Sequence, residues 1–128
     1  MSLEFPEQRD PLTEKIIGCA IEVHRTLGPG LLESTYESAL CVEFELSNLK
    51  FRRQAIFPIN YKGRMIGDHR LDLIVEESVI LEIKSVERHD AVFEAQLLTY
   101  LKITGFRRGF LINFNSRLLK DGIKRFVF

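Results

Sequence analysis

The run Val79-Ile80-Leu81-Glu82-Ile83-Lys84-Ser85-Val86 is apolar on both faces of an extended chain, with Val79, Leu81 and Ile83 pointing one way and Ile80 and Val86 the other. Such a strand belongs in the middle of a sheet that is covered on both sides. The next segment, Asp90 to Thr104, carries Val92, Phe93, Gln96, Leu97, Tyr100 and Leu101 in a helical pattern that Gly105 stops. Gly109-Phe110-Leu111-Ile112-Asn113-Phe114 then reads as a second short apolar strand. Strand, helix and strand in that order call for a right-handed crossover, which lays the second strand parallel to the first.

The chain before this unit has the complementary pieces. Residues 1 to 10 read as a flexible arm, and Pro11-Leu12-Thr13-Glu14 as a helix start with Thr13 near the cap. Ile16, Ile17, Ala20, Val23 and Leu27 make one apolar stripe, which Gly28-Pro29-Gly30 ends. A second helix is expected over Leu31 to Leu46. From Phe51 the pattern turns extended, with strands over Gln54 to Tyr61 and Met65 to Val75, turns at Lys62-Gly63 and Glu76-Glu77-Ser78, and then the run from Val79. Lys120 to Phe128 can add an edge strand or a short helix. The fold class is therefore α/β: an antiparallel meander plus a parallel crossover strand, flanked by helices, in a single domain over 11–128.

Composition removes several function classes. Eighteen Lys plus Arg balance eighteen Asp plus Glu, so no whole-molecule field draws in nucleic acid or an anionic membrane. No segment has the roughly 18 apolar residues of a membrane span, and the polar, acidic start lacks a signal-peptide pattern; a cytoplasmic protein is expected. Cys19 and Cys41 sit among apolar helix neighbours without metal-ligand spacing, as reduced, partly buried thiols. His24, His69 and His89 are dispersed singly and read as structural or exposed.

Against that background, three charges in the two apolar strands stand out. Glu82 and Lys84, two apart, point the same way. A three-residue turn at Glu76-Glu77-Ser78 sets Val75 against Val79 and brings Asp72 across from Glu82, with Cβ atoms about 5 Å apart; a one-residue slip sends Asp72 to the other face. Two carboxylates that close can share a divalent cation, and oxygen ligands without His or Cys favour Mg²⁺ or Mn²⁺. A salt-bridge cluster of Glu82, Lys84 and Asp72 is the competing account. On the second helix, Glu33, Tyr36, Glu37, Leu40 and Phe44 fall within one third of the circumference, so two carboxylates border the apolar stripe, turned either to solvent or to a site.

An Asp followed about ten residues later by Glu-X-Lys on the adjoining strand resembles the signature of the PD-(D/E)XK nuclease superfamily. Gly30-Leu31-Leu32-Glu33-Ser34-Thr35-Tyr36 further resembles the motif of the GxxExxY proteins within it. The resemblance covers about Ile16 to Arg125 and implies a restriction-endonuclease-like core. It also implies that Asp72 and Glu82 are ligands of Mg²⁺ or Mn²⁺, that Lys84 is the catalytic lysine, and that Glu33 is the helix acid completing the site. Gln96 and Tyr100 resemble the Gln-X-X-X-Tyr element of RecB-like nucleases, and their spacing puts both on one helix face. Leu71 stands where a proline can precede the acid.

The expected function is metal-dependent hydrolysis of DNA or RNA phosphodiesters. The alternative is a non-catalytic module binding nucleic acid or protein on the same fold, and a small-phosphoester hydrolase has only the metal site in its favour. A homodimer is implied by resemblance alone.

Overall fold

The computed structural model describes residues 10–128. Helices α1 (Pro11–Leu27) and α2 (Glu33–Leu46) precede a meander of β1 (Phe51–Tyr61), β2 (Arg64–Val75) and β3 (Val79–Lys84). Helix α3 (Ala91–Thr104) crosses to β4 (Arg108–Asn113), and a 3-10 turn over Leu119–Gly122 leads to β5 (Ile123–Val127). The strands lie in the order β1-β2-β3-β4-β5, all neighbours antiparallel except β3 and β4, which are parallel. This is the mixed sheet expected from the crossover, and the C-terminal segment supplies both the short helix and the edge strand.

One apolar layer joins α1 and α2 to the sheet through Ile16, Ala20, Tyr36, Leu40 and Phe44 against Leu73, Val75, Leu81 and Ile83. The other joins α3 to the opposite face through Leu97, Tyr100 and Leu101 against Ile74, Ile80 and Leu111. Strand β3 alternates between the two layers, and its aliphatic residues are sealed from solvent. Each such side chain contributes roughly 1.5–3 kcal/mol by burial, so the middle of the sheet is the rigid base for anything mounted on it.

Element ends differ from expectation for local reasons. Helix α1 is capped by Asp10, whose carboxylate accepts from Thr13 N at 2.7 Å and also pairs with Arg108, while Thr13 itself is buried. The arm expected over 1–10 otherwise lies outside the described residues. Strand β3 stops at Lys84 rather than Val86 because side chains take the next two N–H groups: Glu33 accepts from Ser85 N at 3.2 Å and Asn113 Oδ1 from Val86 N at 3.1 Å.

The alternation of faces is reset at Gln54 and Asp72. On β1, Phe51 packs with the α1/α2 layer but Ala55 and Phe57 pack with the α3 layer; on β2, Leu73 belongs to the first and Leu71 to the second. Strict alternation would keep each pair on one side. Gln54 has φ 53°, in the left-handed region, and the β1–β2 pairing passes from Arg53↔Leu73 to Ala55↔Leu71 without a Gln54↔Asp72 step. Beyond this point β1 and β2 continue as a mostly exposed two-stranded ribbon.

Candidate metal centre

The turn at Glu76-Glu77-Ser78 pairs Val75 with Val79, Ile74 with Ile80 and Leu73 with Leu81, the register that faces Asp72 toward Glu82. Glu76 and Glu77 both take left-handed φ, 52° and 47°, which is how three residues reverse the chain here. The ladder pairing ends at Leu73↔Leu81, and carboxylates take over. Glu82 Oε2 accepts from Asp72 N at 3.0 Å, and Asp72 Oδ2 accepts from Ile83 N at 2.8 Å. Each acid thus satisfies a backbone donor of the other's strand, which holds the two carboxylates together at a gap in the sheet.

Burial makes that proximity costly for two negative charges. Glu82 is 6% exposed, and burial, followed by the charge of Asp72, pushes its carboxyl up to about 8. Asp72 is raised too, mainly by burial and then by Glu37, against the hydrogen bond from Ile83. A divalent cation between them would remove the repulsion. Mg²⁺ commonly takes only one or two protein carboxylates and completes its shell with water and phosphate oxygens, so this pair of hard oxygen donors fits that ion. Among the described residues no group of three or more His, Cys, Asp or Glu side chains is arranged as a ready-made metal cage.

Lys84 lies on the α3 side, its Nζ 4.3 Å from the centre of the Phe93 ring. No ion pair joins it to Asp72 or Glu82 among the described residues, so the salt-bridge cluster is not what the three charges form. A cavity of about 60 Å³ opens beside Lys84, walled by Phe93, Asn113 and Lys124; it has room for ordered water next to the ammonium group. Tyr100, 8% exposed, faces the carboxylate pair from α3, and burial together with the charges of Glu82 and Asp72 raises its hydroxyl. Gln96, one turn earlier on that face, is exposed.

The two acids of α2 have different surroundings. Glu33 is exposed at the start of the helix and holds Ser85 N at the end of β3. Glu37 is only 5% exposed and faces the site through Gln54, whose Nε2 donates to Glu37 Oε1 at 2.7 Å and to Asp72 Oδ1 at 3.3 Å. Arg53 neutralises Glu37 from the other side and also donates to Ser38 Oγ at 2.8 Å. Gln54 escaped the sequence reading, and Glu37 was left there without a choice between solvent and site. Its position four residues after Glu33, on the same stripe, was the available signal. His69, read from the sequence as structural or exposed, is exposed, with its ring 5.4 Å from that of Tyr100.

The Gly30-to-Tyr36 motif has a mechanical reading. The Tyr36 hydroxyl donates to Gly28 O and accepts from Leu31 N at 3.1 Å, while its ring stacks on Phe114 with centres 4.6 Å apart. Gly30, at φ 99°, allows the sharp path between the helices. The tyrosine clamps this loop, and the clamped loop sets Glu33 beside the end of β3.

A family model described as the PD-(D/E)XK nuclease superfamily matches residues 10–126. No curated protein and no solved structure matches the chain.

Proposed function

Since the chain belongs to the PD-(D/E)XK nuclease superfamily, we propose that it is a Mg²⁺- or Mn²⁺-dependent nuclease whose centre is built on Asp72, Glu82 and Lys84. The observation that carries this reading is the carboxylate pair itself: two buried acids from adjoining strands, braced on each other's backbone, with Glu82 pushed up to about 8 by burial and then by the charge of Asp72. Asp72 and Glu82 would hold the cation, which when bound polarises a phosphodiester and makes hydroxide available near neutral pH.

The remaining roles belong to the chain's own side chains. Lys84, unpaired with either acid, donates to the attacking water or to a phosphate oxygen. Tyr100 and Gln96 present one face of α3 to the substrate next to the pair. Glu33 is the helix acid at the open side, and Glu37 acts through Gln54 by orienting Asp72. The finer grouping with the GxxExxY proteins belongs to the same proposal and rests on the Gly30-to-Tyr36 loop.

The test is incubation of purified protein with single- and double-stranded DNA and RNA in Mg²⁺ or Mn²⁺, beside a Lys84→Ala control. Metal-dependent cleavage by the parent and none by the control is the expected result. Cleavage that survives the substitution sinks the assignment.

A further inference from the structure

We infer that the β1–β2 ribbon beyond Asp72 is an arm that grips the nucleic-acid strand leading to the carboxylate pair. This inference rests on the nuclease reading for its partner, and on separate observations for its surface.

From Asp72 the ribbon runs about 25 Å to the Lys62-Gly63 turn, at roughly 3.3 Å per residue. Its base is anchored, with Phe57 edge-on to Phe106 and His69 against Tyr100. Several of its other apolar side chains are bare: Ile56, Tyr61, Met65 and Ile66 are each more than half exposed. Lys62, Arg64 and Arg70 are exposed as well, and among the described residues none of them has an acid partner. Between Ala55 and Arg70 the sequence holds these three cations against the single acid Asp68. In a chain of zero formal charge this is a local positive arm, and it springs from the residue that holds the acidic centre.

Charge decides the occupant. In a two-fold self-interface the same patch meets itself, which would set these uncompensated cations against their own copies. Edge pairing of a second sheet along β1 is disfavoured in another way, since Pro58 lacks an N–H and the register shifts between Ile59 and Asn60. A polyanion with flat faces suits the surface: phosphates for Lys62, Arg64 and Arg70, and an unstacked base for the ring of Tyr61, which lies directly across the ribbon from Arg64.

The experiment measures binding of fluorescein-labelled oligonucleotides, single- and double-stranded, by anisotropy across a salt series, with Mn²⁺ binding followed by calorimetry. In the Lys62→Ala/Arg64→Ala/Arg70→Ala variant, affinity is expected to fall at least tenfold. The slope of log K against log salt should shrink by about 0.7–0.9 for each phosphate contact removed, with Mn²⁺ binding retained. Tyr61→Ala should weaken single-strand binding several-fold and leave the salt slope unchanged. Parent-like affinity and slope in the triple variant overturn the inference, as does a parent dimer that the triple variant dissolves. Strand binding that depends on the arm without any cleavage by the parent upholds the arm and overturns the nuclease reading; no binding by the parent overturns both.

Discussion

Strand β2 is two strands in one. Its last three residues, Leu73 to Val75, are fully buried and paired on both sides, with β1 and with β3. The residues from Arg64 to Arg70 are exposed and pair with β1 alone. Asp72 stands at the joint, where the β2–β3 ladder has ended and β1 departs from its alternation at Gln54. A carboxylate in the packed half would have neither room nor partners, and one on the ribbon would be an ordinary solvated charge. At the joint it is held by the rigid half and is open to the ribbon side, which suits a group that must bind an ion and meet a substrate.

The largest expected effect removes the joint's chemistry while leaving both halves in place. Asp72→Asn and Glu82→Gln keep the shapes and should each lower metal-dependent cleavage by more than 100-fold and abolish calorimetric Mn²⁺ binding. Retained Mn²⁺ affinity in both variants would place the metal elsewhere. Next comes the asymmetry of the halves themselves. Leu73→Ala should cost about 2–5 kcal/mol in chemical denaturation, as expected for a large side chain deleted from a sealed core. Ile66→Ala on the ribbon should stay within about 0.5 kcal/mol. Similar losses at the two sites would show that the ribbon is packed in solution.

A third test reads the buried pair through pH. The free chain ionises Glu82 near its ordinary 4.5, while the folded protein holds the proton up to about 8. Between those values the folded state binds the extra proton, so the metal-free protein is most stable on the acid side of the window and loses stability as pH rises through it. The slope should approach about 1.4 kcal/mol per pH unit and then flatten above about pH 8. Asp72, also raised, adds in the same direction. Glu82→Gln should remove most of the slope and make the metal-free protein more stable than the parent at pH 8. Added Mn²⁺ should stabilise the parent more at pH 8 than at pH 6. A metal-free parent with flat stability across the window would mean that the carboxylates are better solvated than their burial implies.

How much of this was legible in the chain follows from which forces are local. The order of elements, the parallel β3–β4 pair and the Val75↔Val79 register follow from periodicity and a short turn, both readable from neighbours in sequence. Asp10 was also readable, since an Asp directly before a Pro at the first helical position is a strong cap signal. The Glu37–Gln54–Asp72 bridge was not legible. It joins three elements, and it depends on a left-handed backbone at a glutamine, a residue with no particular liking for that conformation. Alternation counted along β1 and β2 therefore fails one residue beyond the site.

The smallest expected effect bears on that glutamine. Gln54→Gly removes the amide that donates to Glu37 and Asp72 but suits φ 53° better than any side chain does. Relief of strain, lost hydrogen bonds and the greater freedom of glycine in the unfolded chain should nearly cancel, leaving stability within about 1 kcal/mol of the parent. Gln54→Val removes the same amide and adds a β-branched side chain to a left-handed residue, so it should cost about 2 kcal/mol or more. If the reset at Gln54 is what aims Asp72, the glycine variant keeps the fold and its Mn²⁺ affinity falls several-fold, because the Asp72 carboxylate has lost a donor and faces Glu37 with nothing between them. Equal stability of the glycine and valine variants would show that the backbone at position 54 relaxes freely. The joint would then be held by the Asp72–Glu82 bracing alone.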